Sequence, residues 1–155
     1  LAMAGPLAGS MPMPEVTPLM LFSFVLFFLL GYFFYAALYA SIGAAVNTVQ
    51  EAQSLVFPVM TPIIVGMIFF PTALESPDGP LAVTLSMIPG VSPLIMFLRI
   101  VVLTPPLWQI ALSIALLGLG ILGVVWVAAR VYRVGILMYG KKPTFPELLK
   151  WVRHS

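Results

Sequence analysis

The sequence predicts an all-α, polytopic membrane protein with three transmembrane helices and a Pro/Gly-broken pair of short helices that is re-entrant or interfacial. Two observations predict this class. Of the 155 residues, 61% are hydrophobic and only 8% are charged, whereas soluble domains carry about 25% charged residues. The apolar residues also form runs that match or exceed the roughly 20 residues needed to cross a bilayer as a helix. A bilayer is therefore the expected solvent of this chain.

The first transmembrane span is expected at about 18–46, within a transmembrane domain of 18–138. Residues 1–17 lack the basic start and compact apolar core of a signal peptide, and we expect them to be the remnant of an extracytoplasmic loop in a longer protein. The span begins with bulky phenylalanines and becomes rich in small residues over 36–45. Small residues let helix backbones approach closely in a membrane, so this end is expected to pack against other helices.

The second span is expected at about 52–71, after the polar stretch NTVQEAQS at 47–54. This stretch is either a tight loop or the start of the helix, with Asn47 or Ser54 as the N-cap. Pro58 and Pro62 each remove a backbone donor, which predicts a kink in the span. The stretch PTALESPDGP that follows has the composition of a turn.

The third apolar stretch, 81–103, is long enough to cross by hydropathy alone. However, Pro89, Gly90 and Pro93 divide it into two pieces of about 8–10 residues, and neither piece could cross a bilayer alone. We therefore expect a re-entrant or interfacial helical pair. If the stretch crosses instead, the sides of the preceding segments are reversed.

The last span is expected at about 107–133, followed by a basic tail at 139–155. The glycines at 118, 120 and 123 predict one closely packed face. Basic residues follow this span, namely Arg130, Arg133, Lys141, Lys142, Lys150 and Arg153. By the positive-inside rule this end is cytoplasmic in the cell membrane, which places 47–54 inside and 71–106 outside. The tail has an amphipathic pattern and is predicted to lie on an anionic membrane surface.

Catalysis by this chain is not expected, and no catalytic, cofactor-binding or metal-binding residues are predicted. The chain has no cysteine, its one histidine is His154, and none of its five acids falls deep within a predicted span. The net charge of +2 is small and its basic residues lie after the last span, which is a topology signal rather than a nucleic-acid footprint. Transport, membrane anchoring and assembly remain as candidate functions. The candidates from the residues alone include a broken-helix, ion-coupled secondary transporter and a non-transporting membrane anchor or assembly subunit.

Four stretches in order resemble the C-terminal half of type 2 ABC exporter permeases, most closely the sodium-efflux (Nat-type) permeases. They are GYFFYAALYASIGAAVNTVQEAQ at 31–53, IPGVSPLIMFLRI at 88–100, the last helix that begins near Trp108, and its exit VWVAARVYRVGILMYGKKPTFPELLKW at 125–151. The resemblance implies a permease fragment driven by a separate cytosolic ABC ATPase that binds the ATP. It also implies a second permease half or copy, and membrane lipid around both.

The same resemblance implies roles for individual residues. The ATPase-coupling loop corresponds to 47–54, with Asn47, Gln50, Glu51 and Gln53 as polar contacts. The re-entrant segment would form an outer gate through Pro89, Gly90, Ser92, Pro93 and Arg99. Residues that could line the transport path are Tyr35, Tyr39 and Met60.

Arg99 is the only charged residue between Asp78 and Arg130. It falls near the C-terminus of the second short helix, where a cation is favoured by about 0.3–1 kcal/mol. One hypothesis makes it an anchor at the outer interface or a partner of Glu75 or Asp78. The other makes it a gate residue that repels cations returning through the mouth of the exporter.

Overall fold

The computed structural model describes residues 15–137 and 145–153, which form six α-helices. The helices are α1 (Pro18–Ala45), α2 (Val49–Glu75), α3 (Pro80–Met87), α4 (Ser92–Val102), α5 (Leu107–Leu137) and α6 (Phe145–Arg153). Three of them, α1, α2 and the Leu107–Val134 part of α5, are long and apolar enough to cross a membrane. The predicted all-α class with three spanning helices and a short helical pair is confirmed. Residues 1–14 of the expected loop remnant lie outside the described residues, as do 138–144 and 154–155 around α6.

Thr17 is the N-cap of α1, and its hydroxyl accepts the N–H of Met20 at 3.3 Å. A proline in the first turn also favours the start of the helix here. Its buried residues follow one face over 23–34. Within the small-residue stretch 36–45, Ala40, Gly43 and Ala44 are exposed in this chain. The predicted packing of this end against other helices stays a prediction.

Helix α2 begins at a capping box, and its N-cap is neither of the two residues predicted from the sequence. The Thr48 hydroxyl accepts the Glu51 N–H at 3.3 Å, and the Glu51 carboxylate accepts the Asn47 N–H at 3.1 Å. Thr48, not Asn47 or Ser54, is therefore the N-cap. The polar stretch at 47–54 is mostly the first turns of the helix rather than a loop.

The same helix extends beyond its expected end at 71 and continues through Pro71 to Glu75. A proline's fixed φ is compatible with a helix, and membrane helices tolerate the missing donor when other groups satisfy the freed carbonyl. The kink expected at Pro58 and Pro62 stays a prediction.

Helices α3 and α4 form a hairpin that enters and leaves at one end of the bundle. With 8 and 11 residues they are about 12 and 16 Å long, roughly half of a hydrocarbon core each. We call the end that carries Thr17, the 76–79 turn and Pro106 the pair end. The opposite end, with the 46–48 connection and α6, is the α6 end.

Helix α4 is central to the packing. One face joins a core cluster with α1 and α5 that consists of Phe27, Phe34, Met96, Ile100, Ile110 and Leu117. Its other face joins a cluster with α2 and α3 that consists of Ala73, Ala82, Leu85, Val91, Ile95 and Leu98. The short pair is thus held on both sides by the longer helices, which positions the candidate site.

Helix α6 packs against α5 within the bundle. The Arg130 guanidinium donates to the Val152 carbonyl at 3.0 Å and lies 4.0 Å from the centre of the Trp126 ring. This contact adds a protein partner to the membrane surface that the sequence predicted for the tail. The predicted glycine face of α5 is only partly right: Gly120 is closely packed, but a Cβ at Gly118 or Gly123 would meet nothing within 4 Å.

Candidate functional site

The tip of the hairpin, residues 88–93, is seated between the midpoints of the three spanning helices. A Cβ built on Gly31 of α1 would lie 3.0 Å from Pro93, and one on Gly120 of α5 would lie 2.9 Å from Pro89. A Cβ on Gly90 itself would lie 2.6 Å from Pro62 of α2. Only glycine permits backbones to approach this closely. The chain therefore places its break at mid-depth, where three helices leave room for it.

One hydrogen bond fixes this tip to α1. The Tyr35 hydroxyl donates to the Gly90 carbonyl at 2.6 Å. The turn that closes the hairpin satisfies further backbone groups, because Val91 and Ser92 both donate to the Ile88 carbonyl, at 3.0 and 2.7 Å. Irregular backbone at membrane depth requires such partners.

Replacing Tyr35 by phenylalanine is expected to cost about 0.5–1.5 kcal/mol of stability, the usual worth of one hydrogen bond. The ring would keep its packing, so the loss reports the bond to Gly90 alone. Denaturant titration of the purified full-length protein would measure it. Tyr32→Phe is the matched control, since that side chain is exposed and we expect no change. An equal effect of both variants would contradict the importance of this bond.

Arg99 is fully buried and connects the hairpin to its surroundings near the pair end. Its Nε donates to the Pro77 carbonyl at 2.7 Å, and one terminal nitrogen donates to the Ser86 hydroxyl at 3.0 Å. The other nitrogen donates to Gln109 Oε1 at 2.6 Å and lies 3.4 Å from the exposed carboxylate of Asp78. The planar guanidinium thus joins the turn before α3, helix α3 and helix α5.

Asp78 was predicted from the sequence as a possible partner of Arg99, whereas Ser86, Gln109 and the Pro77 carbonyl were not. Another buried serine continues the connection, because the Ser113 hydroxyl of α5 donates to the Ser86 carbonyl at 2.8 Å. Gln109 and Ser113 are four residues apart and so share one face of α5. This spacing of two polar residues in an otherwise apolar helix is the sequence feature from which their shared polar role could have been predicted.

A groove of about 700 Å³ lies beside the tip, between α1, α2 and α4. We call it the aromatic groove, because its lining includes Phe24, Phe27, Phe28, Tyr32, Tyr35, Tyr39 and Phe97. None of its lining residues is charged. Its surface can therefore hold an apolar or amphipathic molecule by burial and ring contacts.

The structure brings some of the predicted site residues together and separates others. Tyr35 and Tyr39 line the aromatic groove, whereas Met60 is not among its lining residues. Among the described residues the buried Ser92 hydroxyl has no hydrogen-bond partner. The four residues predicted for ATPase coupling lie together at the α6 end, where Glu51 completes the capping box. They are Asn47, Gln50, Glu51 and Gln53.

Comparison with known proteins places this architecture in a family. A family model described as "ABC-2 family transporter protein" matches residues 2–130. The chain is 33% identical over 150 residues to "Uncharacterized protein YhaP" of Bacillus subtilis, covering 97% of the chain and 36% of that protein. It is 27% identical over 126 residues to "Uncharacterized protein MJ1024" of Methanocaldococcus jannaschii, covering 81% of the chain and 31% of that protein.

The chain thus spans about a third of the length of the curated relatives it matches. No solved structure matches it. Since the family model covers most of the chain and agrees with three spanning helices, this protein belongs to the ABC-2 family of membrane transporters.

Proposed function

We propose that this chain is part of the membrane-spanning permease of an ATP-driven ABC exporter. The observation that carries the proposal is the seating of the 88–93 tip at the midpoints of α1, α2 and α5. A hairpin in this place closes the bundle from one side at mid-depth. Movement of α1 or α2 away from the tip would open a continuous path beside the aromatic groove.

Two features of α2 support a role in coupling to an ATPase. Its first turns are polar and project Gln50 and Gln53 to solvent at the α6 end, while its middle touches the hairpin through Pro62. A continuous helix with these two contacts would transmit a push from a cytosolic partner to the tip. Only 6% of the most apolar window of α2 is buried, which leaves its surface available to a second permease half or copy.

The test of this proposal is binding of an ABC ATPase by the membrane protein. The full-length protein would be co-expressed with an ABC ATPase of the same organism and purified from membranes. We expect Gln50→Ala with Gln53→Ala to lower co-purification of the ATPase. Tyr32→Ala, at an exposed position outside these turns, is the control. Unchanged co-purification with the double variant would contradict the coupling role.

Sodium is the substrate that the resemblance to Nat-type permeases implies, and we propose it on that basis. Uptake of radioactive sodium into inside-out vesicles would rise on addition of ATP if sodium is exported. Transport that proceeds without ATP would instead favour the ion-coupled secondary transporter. Absence of any flux, with stable insertion, would favour an anchor or assembly subunit.

The orientation of the helices across the membrane gives a further prediction. The chain has no native cysteine, so single cysteines can be placed at Gln50, Ser76 and Ser155 in an otherwise cysteine-free full-length protein. If the α6 end is cytoplasmic, a membrane-impermeant thiol reagent labels only the cysteine at position 76 in intact cells. The other two become reactive after lysis. Labelling at position 50 in intact cells would exclude the coupling role of 47–54.

A further inference from the structure

A second groove, of about 720 Å³, lies between the hairpin tip and helix α6. We call it the α6 groove. Its walls come from the second half of α1, the first half of α2 and the second half of α5. All of its lining residues are apolar except Ser41, and the Ser41 hydroxyl donates to the Ala37 carbonyl of its own helix at 2.6 Å. The groove therefore offers an occupant no polar group that needs a partner.

Protein borders this groove towards both ends of the bundle. Pro89 and Gly90 of the tip form the end at mid-depth, and Leu149 and Val152 of α6 form the other. Along α5 the lining runs from Gly120 to Val131, which corresponds to about 16 Å of helix rise. This is roughly half of a hydrocarbon core, or one leaflet. A spanning helix is about twice as long as this lining, whereas an acyl chain ends within a leaflet.

The mouth of the groove at α6 is basic. Lys150 and Arg153 are exposed on α6 beside the lining residues Leu149 and Val152. Two acidic residues lie at this end: Glu51, whose carboxylate accepts the Asn47 N–H of the α2 cap, and Glu147 of α6, so that α6 carries two basic residues and one acidic residue. Basic residues near a membrane surface attract anionic lipid headgroups by about 1 kcal/mol each.

The lining of the α6 groove is apolar, its length matches one leaflet, and basic residues lie at its mouth. We therefore propose that the α6 groove binds one anionic phospholipid. One acyl chain lies along α5 between the tip and α6. The phosphate lies among the basic side chains at the mouth. The α6 groove adjoins the aromatic groove at Pro62 and Gly90, and the inference does not depend on the transport proposal.

Two glycines of α5 provide a matched pair for the test. A Cβ at Gly123 would meet nothing within 4 Å, and Gly123 lines the groove. Gly123→Leu would therefore fill the groove without displacing a neighbour. A Cβ at Gly118 also meets nothing within 4 Å, but Gly118 is not among the lining residues. Gly118→Leu is the control for adding the same side chain to the same helix.

The probe is phosphatidylglycerol with a photoreactive diazirine in one acyl chain. The full-length protein would be reconstituted with it and irradiated, and the labelled peptides would be mapped by mass spectrometry. We expect labels on the 120–131 segment of the wild type. We expect Gly123→Leu to reduce this labelling about tenfold, the factor of one strong contact, and Gly118→Leu to leave it unchanged. Equal labelling of the wild type and Gly123→Leu, or equal loss in both variants, would overturn the site.

The headgroup is tested with the same diazirine on phosphatidylcholine. We expect phosphatidylglycerol to label the wild type more strongly. We expect Lys150→Gln with Arg153→Gln to reduce that preference about thirtyfold, the combined effect of two charges. Equal labelling by both lipids would overturn the anionic assignment. A photoreactive amino acid at Val124 that crosslinks to polypeptide instead of lipid would show that a protein segment fills the groove.

Discussion

Replacement of Arg99 by methionine is expected to destabilise the protein by about 1–3 kcal/mol, the cost of leaving a buried polar group without its hydrogen-bond partner. Methionine fills a similar volume but leaves the acceptors on Pro77, Ser86 and Gln109 without their donor. Arg99→Lys keeps the charge but not the planar fork, so we expect it to recover only part of the loss. Denaturant titration of the full-length protein would measure these values.

The control for Arg99 is Asp78→Asn. The Asp78 side chain is 69% exposed, and exposed ion pairs contribute about 0–1 kcal/mol. We therefore expect Asp78→Asn to be nearly neutral, which would assign the effect of Arg99 to its buried acceptors rather than to the ion pair. A large loss in Asp78→Asn would reverse that assignment.

The same variants address the two hypotheses for Arg99. A buried guanidinium without exposed surface serves as a structural connection in this conformation, and a gate role would require it to move. Arg99→Gln that folds and inserts normally but alters efflux would support the gate. Reduced stability with unchanged efflux per folded molecule would support the structural role alone.

Replacement of Gly90 by alanine is expected to cost about 1–3 kcal/mol, as overpacking of a close contact does. The added methyl would lie 2.6 Å from the Pro62 Cβ, and a proline ring on a helix cannot rotate away. The tip would have to withdraw from α2, so we also expect transport to fall in the reconstituted complex. Thermal unfolding and flux, measured on the same preparation, would check both effects.

Gly118→Ala is the control for this steric prediction. A Cβ at that position meets nothing within 4 Å, and alanine is about 1 kcal/mol better than glycine inside a helix. We expect Gly118→Ala to be neutral or stabilising. If Gly90→Ala were equally well tolerated, the tip would not be in close contact with α2.

The sequence by itself determined the class of the protein and the order of its helices. Apolar runs of spanning length and the prolines near residue 90 are local features, and their effect on backbone hydrogen bonds does not depend on distant residues. For the same reason the break at Pro89, Gly90 and Pro93 was predictable. The end of α2 was not, because Pro71 can either continue a helix or end one.

Only the tertiary structure decided which small residues pack closely and which polar groups meet. Gly120 and Gly118 look alike in the sequence, yet only Gly120 faces Pro89. The partners of Arg99 come from positions 77, 86 and 109, which lie on three segments. Such contacts depend on how helices rotate and stack, and in a membrane that is set by side-chain fit rather than by an apolar face that the sequence displays.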